Sequence, residues 1–204
     1  GGTKVGDLTS RTAPRYSDVR IAPEDVPKKT KVEVLQRADA AARAAGGAIR
    51  QVTARTGDSR RRILVANSDG LLATDDQVRT NFAVIAVATG DTGMQTGYES
   101  TGFTIGFELI EDLDVEAFAQ QAAQRALTKL RARPAPSGTI PVVINHGSGG
   151  VMFHEACGHG LEADLVGKDA SVYRGRVGEL VASPLVTRVD DGTMGPEWGS
   201  FSID

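Results

Sequence analysis

The stretch Ile63-Leu64-Val65-Ala66-Asn67-Ser68-Asp69-Gly70-Leu71-Leu72-Ala73-Thr74 decides how the chain is read. Apolar, β-favouring runs flank Ser68-Asp69-Gly70, and Asp-Gly between two such runs is a strong hairpin signal because both residues tolerate the positive φ of a tight turn. Outward from it, Ala48–Arg55, Arg61–Asn67, Leu71–Thr74, Val78–Ala88 and Gln95–Ile105 read as short strands. Thr56-Gly57-Asp58, Ser68-Asp69-Gly70, Asp75-Asp76 and Gly90-Asp91-Thr92-Gly93 separate them. Connections this short favour antiparallel neighbours, since a parallel pair needs a long crossover. The block is predicted to be an antiparallel meandering sheet, with Val84–Val87 in a central strand.

A helix is expected on either side of this block. Thr30 and Glu33 have capping-box spacing, and an alanine-rich run to Ala45 ends at Gly46-Gly47. Further on, Val115, Phe118, Ala119, Ala122, Ala123, Ala126, Leu127 and Leu130 recur at i, i+3, i+4 spacing and make one apolar stripe. Asp114 is its expected N-cap, and Lys129, Arg131 and Arg133 suit the C-terminal dipole before Pro134 and Pro136 stop it. The fold class is therefore α+β: an antiparallel meander packed with two amphipathic helices.

Residues 1 to 29, with Pro14, Pro23 and Pro27, read as an arm whose weak strand is Ser17–Ile21. Pro134–Gly138 reads as a linker between residues 1–133 and 139–204. Beyond it, Thr139–Asn145 is expected as a short buried strand, His146-Gly147-Ser148-Gly149-Gly150 as a flexible loop, Val151 onward as a helix, and Val177–Asp204 as strands. The second part thus reads as the start of a β-rich domain. The chain opens without methionine and stops at Ser200–Asp204 in what reads as a strand, so a shortened copy of something longer is expected.

Composition narrows the function classes. Over 204 residues the formal net charge is −3, which gives no electrostatic reason to expect nucleic acid. Arg60-Arg61-Arg62 is read as a solvated strand end. The single cysteine, Cys157, excludes an internal disulfide and suits a reducing compartment. No apolar run approaches the ~20 residues of a membrane helix, and no signal-peptide pattern opens the chain.

Chemistry concentrates at His154-Glu155-Ala156-Cys157-Gly158-His159, where two of three histidines bracket a glutamate. Two imidazoles and an adjacent carboxylate can hold zinc and activate water, as in the H-E-x-x-H motif. Here the spacing is one longer. Positions five apart lie about 140° apart around an ideal α-helix, against about 40° for four. A π-type turn with its i→i+5 bond would bring His154 and His159 together, and Gly158 and Gly160 soften the helix there. A costly H-E pair where burial is expected also argues for chemistry rather than packing.

Glu162 could be a carboxylate ligand, an orienting partner for an imidazole, or simply exposed, and Asp164 is equally open. Cys157 reads as a small buried hydrophobe, with a nucleophile paired to His159 the lesser reading. His146 reads as a surface histidine. A phosphate-binding turn at Gly147–Gly150 competes with the metal reading, yet the loop lacks both the G-x-x-x-x-G-K-[ST] and G-x-G-x-x-G patterns.

The run Val151-Met152-Phe153-His154-Glu155-Ala156-Cys157-Gly158-His159-Gly160-Leu161-Glu162-Ala163-Asp164 resembles the H-E-A-x-G-H-G-L-E signature of the TldD/PmbA (TldD/TldE) metalloproteases, also labelled modulators of DNA gyrase. Ile63–Gly70, Gly175-Arg176-Val177-Gly178-Glu179, Val181-Ala182-Ser183 and Val189–Met194 are further points of similarity. The resemblance is to the motif-bearing, TldD-like branch. It implies that His154 and His159 bind Zn²⁺, that Glu155 is the general base, and that a cysteine far downstream supplies a third ligand. Such a cysteine is absent here, so weak zinc binding or none is expected of this length of chain.

The resemblance further implies that residues 1–133 end an N-terminal α/β domain and that 139–204 begin the metalloprotease domain. It implies a cytoplasmic metallopeptidase acting on small or unfolded polypeptides, as a homodimer or paired with a TldE-like subunit. The alternatives are a non-catalytic or shortened subunit and a gyrase-associated binding protein.

Overall fold

Asn67 closes the hairpin marked by Asp69-Gly70. Its side-chain Oδ1 accepts the backbone N–H groups of Asp69 (3.0 Å) and Leu71 (3.1 Å), and Gly70 takes a φ of 89°, in the region that disfavours a Cβ. In the computed structural model, which describes residues 7–15 and 18–203, this turn joins two long strands. They are β2 (Ile49–Ala66) and β3 (Leu71–Gly90), paired antiparallel from Ile49↔Ala88 to Ala66↔Leu72. A short strand, β1 (Thr9–Thr12), precedes them.

The breaks expected at Thr56-Gly57-Asp58 and at Asp75-Asp76 do not occur, and cross-strand chemistry gives the reason. Gly57 lies opposite Asn81, whose side-chain nitrogen would be 3.0 Å from a Cβ at position 57, so glycine there makes room rather than a turn. Thr56 Oγ1 donates to Asn81 O at 2.9 Å. Asp76 receives Arg60 through Nε at 2.9 Å and Nη2 at 2.7 Å, a bidentate pair across the strands. Arg60-Arg61-Arg62 is therefore in the middle of a strand, not at a solvated end.

Strand β3 is the centre of the sheet. The Asp91-Thr92 turn returns the chain as β4 (Gly93–Phe103), antiparallel to β3 from Gly90↔Gly93 to Thr80↔Phe103. β1 joins the same side of β3 in parallel, Thr9↔Leu71 to Thr12↔Thr74. That parallel strand departs from the all-antiparallel expectation. A long intervening chain, residues 13 to 70, makes it possible. Of the weak strand expected at Ser17–Ile21, Ser17 lies outside the described residues, and the rest is not a strand. Ile21 instead accepts the Phe107 N–H at 2.8 Å.

Helix α1 (Lys28–Ala44) starts before the Thr30/Glu33 spacing suggested, with Pro27 at its N-cap and no side-chain cap. Proline's fixed φ already sets the entry, and its carbonyl accepts Lys31 N–H at 3.3 Å. A short α2 (Glu108–Glu111), unforeseen in the sequence, precedes α3 (Val115–Leu130). Asp114 caps α3 as expected, Oδ1 accepting from Ala117 N at 2.9 Å.

The α3 stripe meets α1 and the sheet in a core that includes Val34, Ala38, Ala42, Phe82, Val84, Ala86, Ala119, Ala122 and Ala126. Small residues permit close approach. A Cβ on Gly97 would lie 1.9 Å from the Ala122 carbonyl oxygen, so β4 carries glycine where α3 crosses it. The architecture is α+β, an open four-stranded sheet with helices.

The chain divides into two compact units. Residues up to Arg133 form the first, and 191–203 return to it, where Phe103 and Glu197 form an isolated bridge. Pro134–Asp190 form the second. It contains α4 (Ser148–Phe153), a π turn (His154–Gly158), a 3₁₀ turn (His159–Leu161) and α5 (Ala163–Gly167). The strand expected at Thr139–Asn145 and those expected after Val177 are absent among the described residues, so this part is helical and turn-rich rather than β-rich. A ladder needs a neighbouring edge, and here Val142 (70% exposed) and Val143 lie open to solvent. Among the described residues no helix is long and apolar enough to cross a membrane.

Candidate metal centre

Gly147, at φ 81°, turns the backbone into α4. Six residues later the helix widens: the N–H of His159 bonds to the carbonyl of His154, the i→i+5 closure of a π turn. Backbone angles stay helical through the change, with Gly158 at φ −61°, ψ −52°. The π turn expected from the five-residue spacing is therefore present. Its effect is to bring the two histidines together on one side, edge to face, with ring centroids 4.4 Å apart and planes inclined at 67°.

Two carboxylates join them. Glu162, at the end of the 3₁₀ turn, places Oε1 2.9 Å from His159 Nδ1. Glu155 Oε2 lies 3.5 Å from His159 Nε2. One donor atom each from His154, His159 and Glu162 falls within 4.8 Å of the others. Two imidazole nitrogens with a carboxylate oxygen are the donors that zinc takes, so these residues fit such an ion. When Glu162 accepts the Nδ1 proton of His159, the Nε2 lone pair is left for a ligand bond.

Other sequence expectations fare differently. The expected burial does not hold: the side chains of His159, Glu155 and Glu162 are 50%, 64% and 46% exposed. The argument for chemistry rests on the convergence of donors, not on the cost of burial. Cys157 is half-buried rather than buried, and its thiol donates to Phe153 O at 3.1 Å, outside the donor cluster. Asp164 pairs with Lys168 at 3.1 Å, also outside it. His146 is exposed and takes no part.

The glycines of the motif have a spatial reason beyond softness. A Cβ on Gly158 would lie 2.8 and 2.9 Å from the Arg188 guanidinium nitrogens and 3.1 Å from His154 Nδ1. A Cβ on Gly160 would lie 2.7 Å from the Tyr173 ring, and the Gly160 carbonyl accepts the Ser171 hydroxyl. Sequence reasoning missed Arg188, Tyr173 and Ser171, because residues this far along the chain leave no local periodic signal.

Fold and site define the class: an α+β protein whose π turn brings together a His154-His159-Glu162 donor cluster. Residues 21–130 match the PmbA/TldA metallopeptidase central domain, and residues 137–204 match the PmbA/TldA metallopeptidase C-terminal domain. The chain belongs to this PmbA/TldD family of metallopeptidases.

A metalloprotease TldD homologue of Haemophilus influenzae is 36% identical to it, over 98% of this chain and 44% of the relative. A metalloprotease of Methanothermobacter thermautotrophicus is also 36% identical, over 89% of this chain and 39% of its own length. The TldD homologue of Buchnera aphidicola from Acyrthosiphon pisum is 32% identical over 100% and 44%. The chain thus spans less than half the length of the curated relatives it matches. The crystal structure of a protein from Thermotoga maritima, described as a candidate modulator of a DNA gyrase, superposes with a TM-score of 0.63 over 86% of this chain and 39% of that one. At 18% identity, that likeness concerns the fold alone.

Proposed function

We propose that this chain is the part of a zinc-dependent metallopeptidase that carries two metal ligands, His154 and His159, and the general base, Glu155. The observation that supports it most is the π turn, which sets the two imidazoles 4.4 Å apart with a glutamate beside them. When bound, zinc lowers the pKa of a coordinated water toward neutrality and polarises the peptide carbonyl.

The remaining steps fall to the protein's own groups. Glu155, solvent-accessible and beside His159, takes the proton of the attacking water and passes it to the leaving amine. Glu162 holds His159 by its Nδ1 proton, fixing tautomer and ring orientation. The third protein ligand is a cysteine downstream of this chain's residues, as the family resemblance implies.

Residues 1–133 then hold the domain that the central-domain match describes, 134–138 link, and 139–204 belong to the catalytic domain. Substrates are small or unfolded polypeptides read through their backbone, and the working unit is a dimer, of two copies or with a TldE-like subunit, in the cytoplasm. The relatives named metalloproteases support the enzymatic reading. In the full-length protein, Glu155→Gln abolishes peptide hydrolysis while zinc content, measured by atomic spectroscopy, stays unchanged. Undiminished cleavage by that variant refutes the role of Glu155.

A further inference from the structure

The unit Pro134–Asp190 has four Lys and Arg residues, and three of them are paired. Lys168 meets Asp164 at 3.1 Å, Arg174 meets Asp169 at 3.0 Å, and Arg176 meets Glu179 at 2.9 Å. Arg188 is the exception: its side chain makes no hydrogen bond or ion pair with any described residue. Its exposed guanidinium nonetheless lies against the backbone of the His154–His159 motif. Gly158 is the buried residue of an otherwise mostly exposed turn, and both terminal nitrogens of Arg188 come so close that a Cβ on Gly158 would lie 2.8 and 2.9 Å from them. The same absent Cβ would lie 3.1 Å from His154 Nδ1, so guanidinium and imidazole crowd one Cα.

A cation standing beside a metal-binding cluster opposes the loading of a second positive charge unless an anion joins them. The cluster's carboxylates are engaged elsewhere: Glu155 and Glu162 both face His159. Neither pairs with Arg188, which has no carboxylate partner among the described residues and so can receive one from a ligand. Guanidinium is planar, always charged, and matched in geometry to the two oxygens of a carboxylate.

We infer that Arg188 anchors a carboxylate of the bound peptide next to His154, making it a specificity-determining residue of this site. The inference rests on the peptidase reading. The carboxylate has two sources, the C-terminus of the peptide or an acidic side chain. The first restricts cleavage to sites near chain ends, and the second favours acidic sequences anywhere along a chain.

The test reads binding without turnover, in full-length zinc-loaded protein carrying Glu155→Gln, by fluorescence anisotropy. The probes are three tagged alanine pentapeptides: one with a free C-terminus, one amidated, and one amidated with a central glutamate. One of the two carboxylate-bearing peptides is expected to bind about 10- to 100-fold tighter than the neutral one, the range for a hydrogen bond to a charged group. Which one identifies the source. Adding Arg188→Gln abolishes that preference and leaves the neutral peptide's Kd unchanged, while Arg188→Lys restores part of it. Equal binding of all three probes overturns the inference, as does a carboxylate preference that survives Arg188→Gln. Hydrolysis of the probes by Glu155→Gln would instead undo the peptidase mechanism, and the same three probes are then read on metal-free protein with and without Arg188→Gln.

Discussion

Replacing Glu108 by alanine removes the acceptor that holds the arm before α1 against α2. Glu108 is 2% exposed, and its carboxylate accepts three backbone N–H groups from other residues: Gly106 at 2.9 Å and Arg20 at 3.1 Å on Oε1, Ile21 at 2.9 Å on Oε2. Alanine leaves all three donors without a partner. At about 1–3 kcal/mol for each buried group left unsatisfied, and with water reaching part of the vacated space, the loss is about 3–6 kcal/mol. For a unit of this size about 2–4 °C is lost per kcal/mol, so the melting temperature falls by roughly 6–24 °C.

The assay is urea and thermal unfolding followed by circular dichroism. A loss under about 1 kcal/mol refutes the reasoning, because it would mean the three donors were already solvated. The charge of Glu108 gives an independent check. Burial pushes its carboxyl up, but the N–H groups of Glu108 itself, Gly106, Arg20 and Ile21 outweigh that and hold it below the ordinary value of 4.5. A carboxyl depressed in the folded state contributes stability that is complete above pH 4.5 and is lost as pH falls through the folded value. The stability gap between wild type and Glu108→Gln therefore narrows on acidification below pH 4.5 and is constant from there to neutrality. A gap that widens on acidification contradicts the sign.

Two further outcomes follow from the same structure. Gly97→Ala puts a methyl group 1.9 Å from Ala122 O and 2.6 Å from Ala126 N, so α3 must lift from β4. Overpacking of this severity costs about 3 kcal/mol or more, and an unchanged melting temperature would show that the helix moves freely. Glu162→Ala releases His159 Nδ1 and lowers zinc affinity of the full-length protein by about 10- to 100-fold in competition with a chelating dye. Unaltered affinity would remove Glu162 from the site.

Much of the first unit was legible before any coordinates, and its errors share a cause. Asp69-Gly70 and Asp91-Thr92 do turn the chain. Thr56-Gly57-Asp58 and Asp75-Asp76 have similar composition and do not, because Asn81 and Arg60 stand across from them. Turn propensity is local, whereas the neighbour that keeps such residues in a strand is some 16 to 25 positions away. The same limit hid Glu108: a glutamate reads as surface until three main-chain donors surround it.

At the site, the sequence by itself determined that His154 and His159 need a π turn to face one another, since helical periodicity turns a five-residue spacing into an angle. The α3 stripe, its Asp114 cap and the Asp69-Gly70 hairpin are determinations of the same kind, each contained within a few consecutive residues. Only the tertiary structure decided that Glu162 meets His159 Nδ1 rather than lying free, that Cys157 turns to Phe153, and that Arg188 stands against Gly158. Those outcomes depend on which side chains from distant positions occupy the same few ångströms, and no periodicity along the chain carries that distance.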